Sequence, residues 1–346
     1  MKYVIIADLH CRLTNYALTV NGIPEGLYYP LFNLRKAAQF AKEHDAILIV
    51  AGDIADSKNN LQQQVLSEIM ECIKEITKTY NIEILWLLGN HDYEVLNEKT
   101  YSYLTNLDIQ IATPGNPIGR GELAVVAYSQ PQTIVDDIKS FELNDINVIV
   151  SHLGIIEASL SGTEYKVGEF SEKHFANLKN KWIILGHYHK PQHVARNIYY
   201  VGSPTPVKIS EANEEKRFLF LDTDKNEIES IPTVYPKIFN LELDIDAKIN
   251  AKEIENDIMQ NFNKYVITVP VNYNHMSMIK ELTNEYRGYF YVKTVKPETE
   301  TDEYEKHERI ETIKLTNLFE NFMQTKMGYE ENKKNNYLDA AKSLIV

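Results

Sequence analysis

The sequence predicts an α/β fold in which buried parallel strands carry polar residues at their tips. Three observations predict it. Five apolar runs, at residues 3–7, 46–51, 84–88, 147–151 and 182–185, each stop at side chains able to bind metal or move protons. Short β-branched runs with little polar interruption suit strands covered on both faces, and ligands of such sheets gather at the strands' carboxyl ends. Helical apolar spacing between the first two runs makes a β-α-β unit, hence parallel pairing. From Pro236 the texture changes to alternation around short helical segments, marking a second, smaller α+β unit.

In chain order, the first run reaches Asp8 and His10. Residues 31–41 follow as a helix with Leu31, Leu34, Ala38 and Ala41 on one side. The second run turns tightly at Gly52 into Asp53. Residues 61–80 form a longer helix with Val65, Ile69, Ile73 and Ile76 as inward stripe and Leu66 and Met70 beside it. So wide a stripe can serve the core or a homodimer face, and the core is the favoured reading. The third run ends in Gly89-Asn90-His91-Asp92, the fourth in His152, the fifth in Gly186-His187-Tyr188-His189. Residues 123–128 read as a strand without a ligand and 217–222 as a closing strand.

Residues i and i+2 of an extended segment point the same way, so Asp8 with His10, and His187 with His189, are each expected to grip one ion. With Asp53, Asn90 and His152 they make seven candidate ligands. Carboxylate, imidazole and amide oxygen without thiolate suit borderline or harder divalent ions such as Mn²⁺. Seven ligands exceed the need of one ion, so two divalent ions bridged by a carboxylate are expected. Asp53 is the expected bridge, having two oxygens at the end of a tight turn.

Asp8-x-His10, Gly52-Asp53, Gly89-Asn90-His91-Asp92, His152 and Gly186-His187-Tyr188-His189 resemble, in order and spacing, the five motifs of the calcineurin-like metallophosphoesterases. Residues 186–192 followed by Tyr200-Val201-Gly202-Ser203-Pro204 look most like the SbcD branch, nuclease subunits of a double-strand-break repair complex. The resemblance implies a two-sheet α/β sandwich flanked by helices over residues 1–235 and a capping domain over 236–296 that shapes DNA access. It also implies docking of the chain's C-terminal helices on an SbcC-type coiled-coil ATPase. His91, next to ligand Asn90, is the expected general acid, held by Asp92. Asp56 stands where cellular members often carry a histidine and is read as supporting a ligand. Arg12 and Lys190, beside motif residues, are the candidate DNA phosphate contacts.

In the smaller unit, Asn250 is read as the cap of a helix bearing Ile254, Ile258, Met259 and Phe262. Residues 265–271 and 289–295 are strands around a second helix at 278–286; His275, and His307 further on, have no partner at ligand spacing. Residues 297–312 form an acidic linker poor in apolar residues. Two amphipathic helices follow within 313–346, free to dock on this chain or on the ATPase. The net charge of −13 argues against autonomous DNA binding, because binders usually neutralise phosphates with a basic face. The two cysteines suit a cytoplasmic chain, Cys72 as a packed residue and Cys11 as a packed residue in preference to a soft extra ligand, and no apolar run is long enough to span a membrane.

Three functions fit: a Mn²⁺-dependent DNA nuclease working with an ATPase, a small-substrate phosphomonoesterase or cyclic phosphodiesterase, and a non-catalytic DNA-end scaffold. A Ser/Thr protein phosphatase is disfavoured: no arginine follows Asp56, and Asp92 stands where that group carries glutamate.

Overall fold

A computed structural model describes residues 1–13, 18–57, 62–92, 104–105, 107–159 and 168–295. The chain divides into a compact unit at 1–294 and a second at 295–346. Residues 296–346, with the expected linker, His307 and the two helices, lie outside the described residues. Among the described residues no helix is long and apolar enough to cross a membrane.

The order of elements is β1 (Lys2–Ile6), β2 (Thr19–Val20), β3 (Ile23–Pro24), α1 (Glu25–His44), β4 (Ile47–Ala51), α2 (Gln63–Tyr80), β5 (Ile84–Leu87), β6 (Gln110–Ala112), β7 (Ile118–Arg120), β8 (Leu123–Val126), α3 (Pro131–Lys139), β9 (Val148–His152), β10 (Trp182–Gly186), β11 (Gln192–Ala195), β12 (Ile198–Tyr200), β13 (Arg217–Asp222), β14 (Glu227–Pro232), β15 (Ile238–Glu242), α4 (Ala251–Asn261), β16 (Lys264–Pro270), α5 (Met276–Glu285) and β17 (Phe290–Val295). Two six-stranded sheets have the orders β14-β13-β1-β4-β5-β6 and β11-β12-β10-β9-β8-β7. β1, β4, β5 and β6 run parallel, as do β12, β10, β9 and β8; the remaining strands of these two sheets pair antiparallel.

Alternation decides what each strand face touches. Tyr3, Ile5, Ile49 and Leu85 of one sheet meet Val125, Val148, Val150 and Ile184 of the other in a sealed layer. Val4, Ile6, Leu48, Val50 and Trp86 face the opposite way, onto α1 and α2. Both faces of the central strands are therefore apolar, which is why these runs show little polar interruption. The inward stripe of α2, Val65, Ile69, Cys72, Ile73 and Ile76, is buried in this core, and Leu66 and Met70 at its margin are half-buried.

The first helix begins at Glu25, ahead of the expected residue 31, with Pro30 inside it. Proline has no N–H for the carbonyl four residues back, and that carbonyl, of Gly26, instead accepts the backbone N–H of Arg12 at 3.2 Å. A helix-breaking residue thus fastens the chain just beyond His10.

The smaller sheet, β15-β16-β17, has its own core of Ile254, Ile258, Ile267, Val269, Ile279, Leu282 and Phe290. The Asn250 side chain accepts from Glu253 N–H and caps α4 as expected, but Met259 is 56% exposed and Phe262 forms the left-handed C-cap. Lys264 pairs with buried Glu25 at 3.0 Å, and Tyr289 Oη accepts from Leu18 N–H at 2.7 Å.

Candidate metal centre

All five polar tips expected from the sequence meet beyond the carboxyl ends of β1, β4, β5, β9 and β10. The chain leaving β1 is stitched to the chain leaving β4: Asp8 N–H donates to Gly52 O, His10 N–H to Asp53 O and Cys11 N–H to Ile54 O, at 3.0, 3.0 and 2.7 Å. The backbone is not extended here. Asp8, His10, Asp53 and His187 have φ of 54, 46, 56 and 98°, in the left-handed region that Asp and His tolerate better than most residues. Gly89 allows the closest approach, since a Cβ there would lie 2.1 Å from Asp53 Oδ1. The Asp92 carboxylate accepts from the backbone N–H groups of Asp53, Ile54 and Gly89 at 2.7–3.0 Å, bracing two tips at once.

The hydrogen bonds on the imidazoles fix where their lone pairs point. His10 Nδ1 faces an Asp56 carboxylate oxygen at 3.1 Å, His189 Nδ1 a Glu211 oxygen at 2.8 Å and His152 Nδ1 the Ala51 carbonyl at 2.9 Å. All three partners are acceptors, so each Nδ1 carries the proton and each Nε2 of the neutral ring presents a lone pair. Yet His10 Nε2 and His189 Nε2 are 3.0 Å apart and His152 Nε2 lies 3.0 Å from Asn90 Oδ1, whereas His187 Nδ1, 2.9 Å from the same oxygen, can donate to it. Facing lone pairs repel one another unless a proton or cation sits between them.

Two groups of donors emerge. Donor atoms of Asp8, His10 and His189 lie within 4.8 Å of one another, as do those of Asp8, Asp53 and His152 and of His10, Asp56 and His91; Asn90 and His187 converge on the side of His152. Asp53 Oδ2 stands between them, 3.7 Å from His10 Nε2 and 3.3 Å from His152 Nε2. The expected pairing of His187 with His189 on one ion is corrected. The positive φ of His187 turns the chain, so the two histidines face different groups, and extended-strand spacing does not apply.

Electrostatics ask for positive charge. Asp8 and Asp53 are buried, and among the described residues neither has a lysine or arginine within salt-bridge distance. Burial raises the Asp8 carboxyl above its ordinary range. Burial pushes Asp53 the same way, but His152, His10 and His91 overcome it and hold that carboxyl well below the usual range. Burial disfavours charge on His152, yet Asp53 and Asp8 raise it to about 9, whereas burial and neighbouring imidazoles lower His187 to about 3. Without metal, His152 is the nearest counter-charge to Asp53, at 3.3 Å. The donor set fits two divalent cations, which would supply that charge and satisfy the lone pairs.

His91 sits at the edge, its ring centroid 4.7 Å from that of His10. Its Nδ1 is held at 2.7 Å by the main-chain carbonyl of Asp56, where the Asp92 carboxylate was expected. That carboxylate is committed to three backbone amides. Arg12 is anchored by Val207 O at 2.7 Å and Asp56 Oδ1 at 3.6 Å. Lys190 lines a neighbouring cleft of about 810 Å³ with Arg217 and Tyr235. The opening over the metal centre, about 330 Å³, is lined by His10, Asp53, Asn90, His91, His187 and His189 together with Lys208 and Glu211.

Sequence reasoning missed Glu211, Lys208 and Tyr128. Glu211 lies in a polar loop where no spacing marks it, and Tyr128, at the ligand-free tip of β8, stacks on His187 with ring centroids 6.3 Å apart. Burial alone would raise the Glu211 carboxyl, but the His189 hydrogen bond and Lys216 hold it at about 2.

The family profile of calcineurin-like phosphoesterases matches residues 1–191. The SbcD component of nuclease SbcCD from Staphylococcus epidermidis is 26% identical over 259 residues, covering 66% of this chain and 67% of that protein. A protein of invertebrate iridescent virus 6 assigned as phosphoesterase 244L is 23% identical over 256 residues, covering 69% and 82%. A structure from Staphylococcus aureus assigned as a 5′-nucleotidase aligns with a TM-score of 0.43 at 16% identity, over 67% of this chain and 54% of that one. A dimetal phosphatase from Danio rerio aligns with a TM-score of 0.38 at 11% identity, over 63% and 91%.

Proposed function

Because the chain belongs to the calcineurin-like phosphoesterase family, we propose that it is a two-metal phosphodiesterase that cuts DNA, acting with an SbcC-type ATPase. The convergence of these donors, with Asp8, His10, Asp53 and His152 buried and the Nε2 atoms of His10 and His189 facing each other, carries the catalytic reading. The likeness to the SbcD component of nuclease SbcCD supports DNA as substrate.

Asp8, His10, His189 and Asp53 would hold one divalent cation, and Asp53, Asn90, His152 and His187 the other. When bound, such a pair supplies an activated water and neutralises the charge of the phosphoester in its transition state. The chain's own groups do the rest. Asp56 and Glu211 fix the tautomers of His10 and His189. Asp92 keeps the tips of β4 and β5 at a constant separation. His91, with Nδ1 committed to the Asp56 carbonyl, presents Nε2 to the pocket and in its protonated form gives a proton to the leaving sugar oxygen. Lys208 borders the opening where phosphates would arrive, and Arg12 lines an adjoining cleft that Lys208 shares.

The net charge of −13 favours a second reading, a small-substrate phosphoesterase that needs no polyanion groove. Labelled duplex and single-stranded DNA, assayed beside bis-p-nitrophenyl phosphate with Mn²⁺, Mg²⁺ or Zn²⁺, separates the two. Cleavage of DNA with Mn²⁺ is expected; hydrolysis of the small diester alone would leave the second reading. Deleting residues 313–346 should keep small-diester hydrolysis while abolishing co-purification with the ATPase, and retained co-purification would refute that assignment.

A further inference from the structure

Glu211 and Lys216 lie outside every motif, yet they are 1% and 2% exposed beside a candidate ligand. Glu211 Oε1 accepts from His189 Nδ1 at 2.8 Å and from Lys208 N–H at 3.2 Å; Oε2 accepts from Lys216 Nζ at 2.8 Å and from Val207 N–H at 2.9 Å. Lys216 Nζ also donates to the His189 main-chain carbonyl at 3.0 Å and to Glu214 Oε2 at 3.0 Å, which uses its three N–H groups. The bonds close a ring: imidazole to Glu211, Glu211 to Lys216, and Lys216 back to the carbonyl of the same histidine. His189 is clasped at both its side chain and its backbone. His10 leans on half-buried Asp56, and His152 on a backbone carbonyl.

A buried ion pair adds little net stability over well-packed apolar residues, because both charges lose their water. Its value here lies in what it holds. Resting on the metal-centre reading above, we infer that Glu211 and Lys216 are positioning residues that fix His189 and thereby set the affinity of the cation position built from Asp8, His10 and His189, leaving the Asn90, His152 and His187 position unaffected. Carboxylates behind ligating histidines orient the ring and increase its donor strength, an effect typically worth about 10- to 100-fold in metal affinity.

The full-length protein, Glu211→Gln, Lys216→Met and the double variant are titrated with Mn²⁺ by calorimetry, with bound metal counted by mass spectrometry and spin coupling between the ions followed by electron paramagnetic resonance. Melting temperature is measured without metal. The wild type is expected to take two equivalents. Each variant should take one at wild-type affinity and the other about 10- to 100-fold more weakly, losing the spin-coupled signal at limiting Mn²⁺ and recovering it in excess. The double variant removes both charges of the buried pair and leaves only half-buried Glu214 without Lys216, so it should melt near the wild type in the absence of metal while keeping the weakened equivalent. Wild-type affinity for both equivalents in Glu211→Gln or the double variant overturns the inference. So does parallel loss of both equivalents with a lowered metal-free melting temperature in the double variant, which makes the pair a brace of the 203–216 loop. Failure of the wild type to take two equivalents would instead overturn the metal-centre reading itself, and this inference with it.

Discussion

The paired sheets and the three-stranded sheet at 238–295 use the same kinds of element for different ends. In the paired sheets the central strands are sealed on both faces, with Tyr3, Ile5, Leu48 and Val50 fully buried, and every candidate metal-binding group found among the described residues sits at their tips. In the smaller sheet β15 and β17 are largely exposed, with Met259 and Val271 at 56% and 57% exposure nearby. The difference teaches where such chemistry can be built. A strand packed on both faces cannot shift its end, so a side chain there returns to the same place each time; a half-covered strand gives no such guarantee.

Substitutions can break or sharpen that contrast. Asp53→Ala should have the largest effect, removing the oxygen between the two donor groups; metal occupancy should fall at both positions and diester hydrolysis should drop to background. Two fully bound metals in that variant would show that another residue bridges. His91→Gln should leave metal content unchanged and lower DNA turnover by ~10²–10⁴, the usual contribution of one positioned acid. A p-nitrophenolate leaving group needs little protonation, so hydrolysis of that diester should suffer much less; equal losses would assign His91 to phosphate orientation. Ile5→Ala, in the sealed layer, should cost about 2–5 kcal/mol in denaturant unfolding. Met259→Ser, on the smaller sheet's helix, should stay within about 0.5 kcal/mol. An equal cost at both positions would erase the proposed distinction between the two regions.

The strands that carry the ligands were legible because each is an uninterrupted apolar run, and the ligands because each run ends abruptly in a polar residue; β6, β7, β11, β12 and β14, short or rich in polar residues, were not. What escaped was whatever the local backbone or the tertiary fold decides. The pairing of His187 with His189 assumes extended geometry, whereas His187 has φ of 98°. The partner of His91 proved to be a main-chain carbonyl, a group every residue owns and no sequence pattern marks. Glu211 reaches His189 across a separation of 22 residues through a loop whose course only the packed sheets determine. Pro30 concealed the start of α1, because proline within a helix ordinarily breaks it and here its missing hydrogen bond is replaced from outside.

The left-handed backbone at Asp8, His10, Asp53 and His187 limits how this centre can be remade. Aspartate, asparagine and histidine are the side chains that enter this region most readily after glycine, and the same three can also ligate a divalent cation through oxygen or nitrogen. Glutamate keeps the charge of aspartate, and cysteine ligates zinc strongly, but neither shares that conformational ease. Inheritance and engineering alike must therefore choose from a short alphabet at these four positions: exchanges within it retune the centre, and exchanges outside it must first rebuild the turn on which the ligand stands.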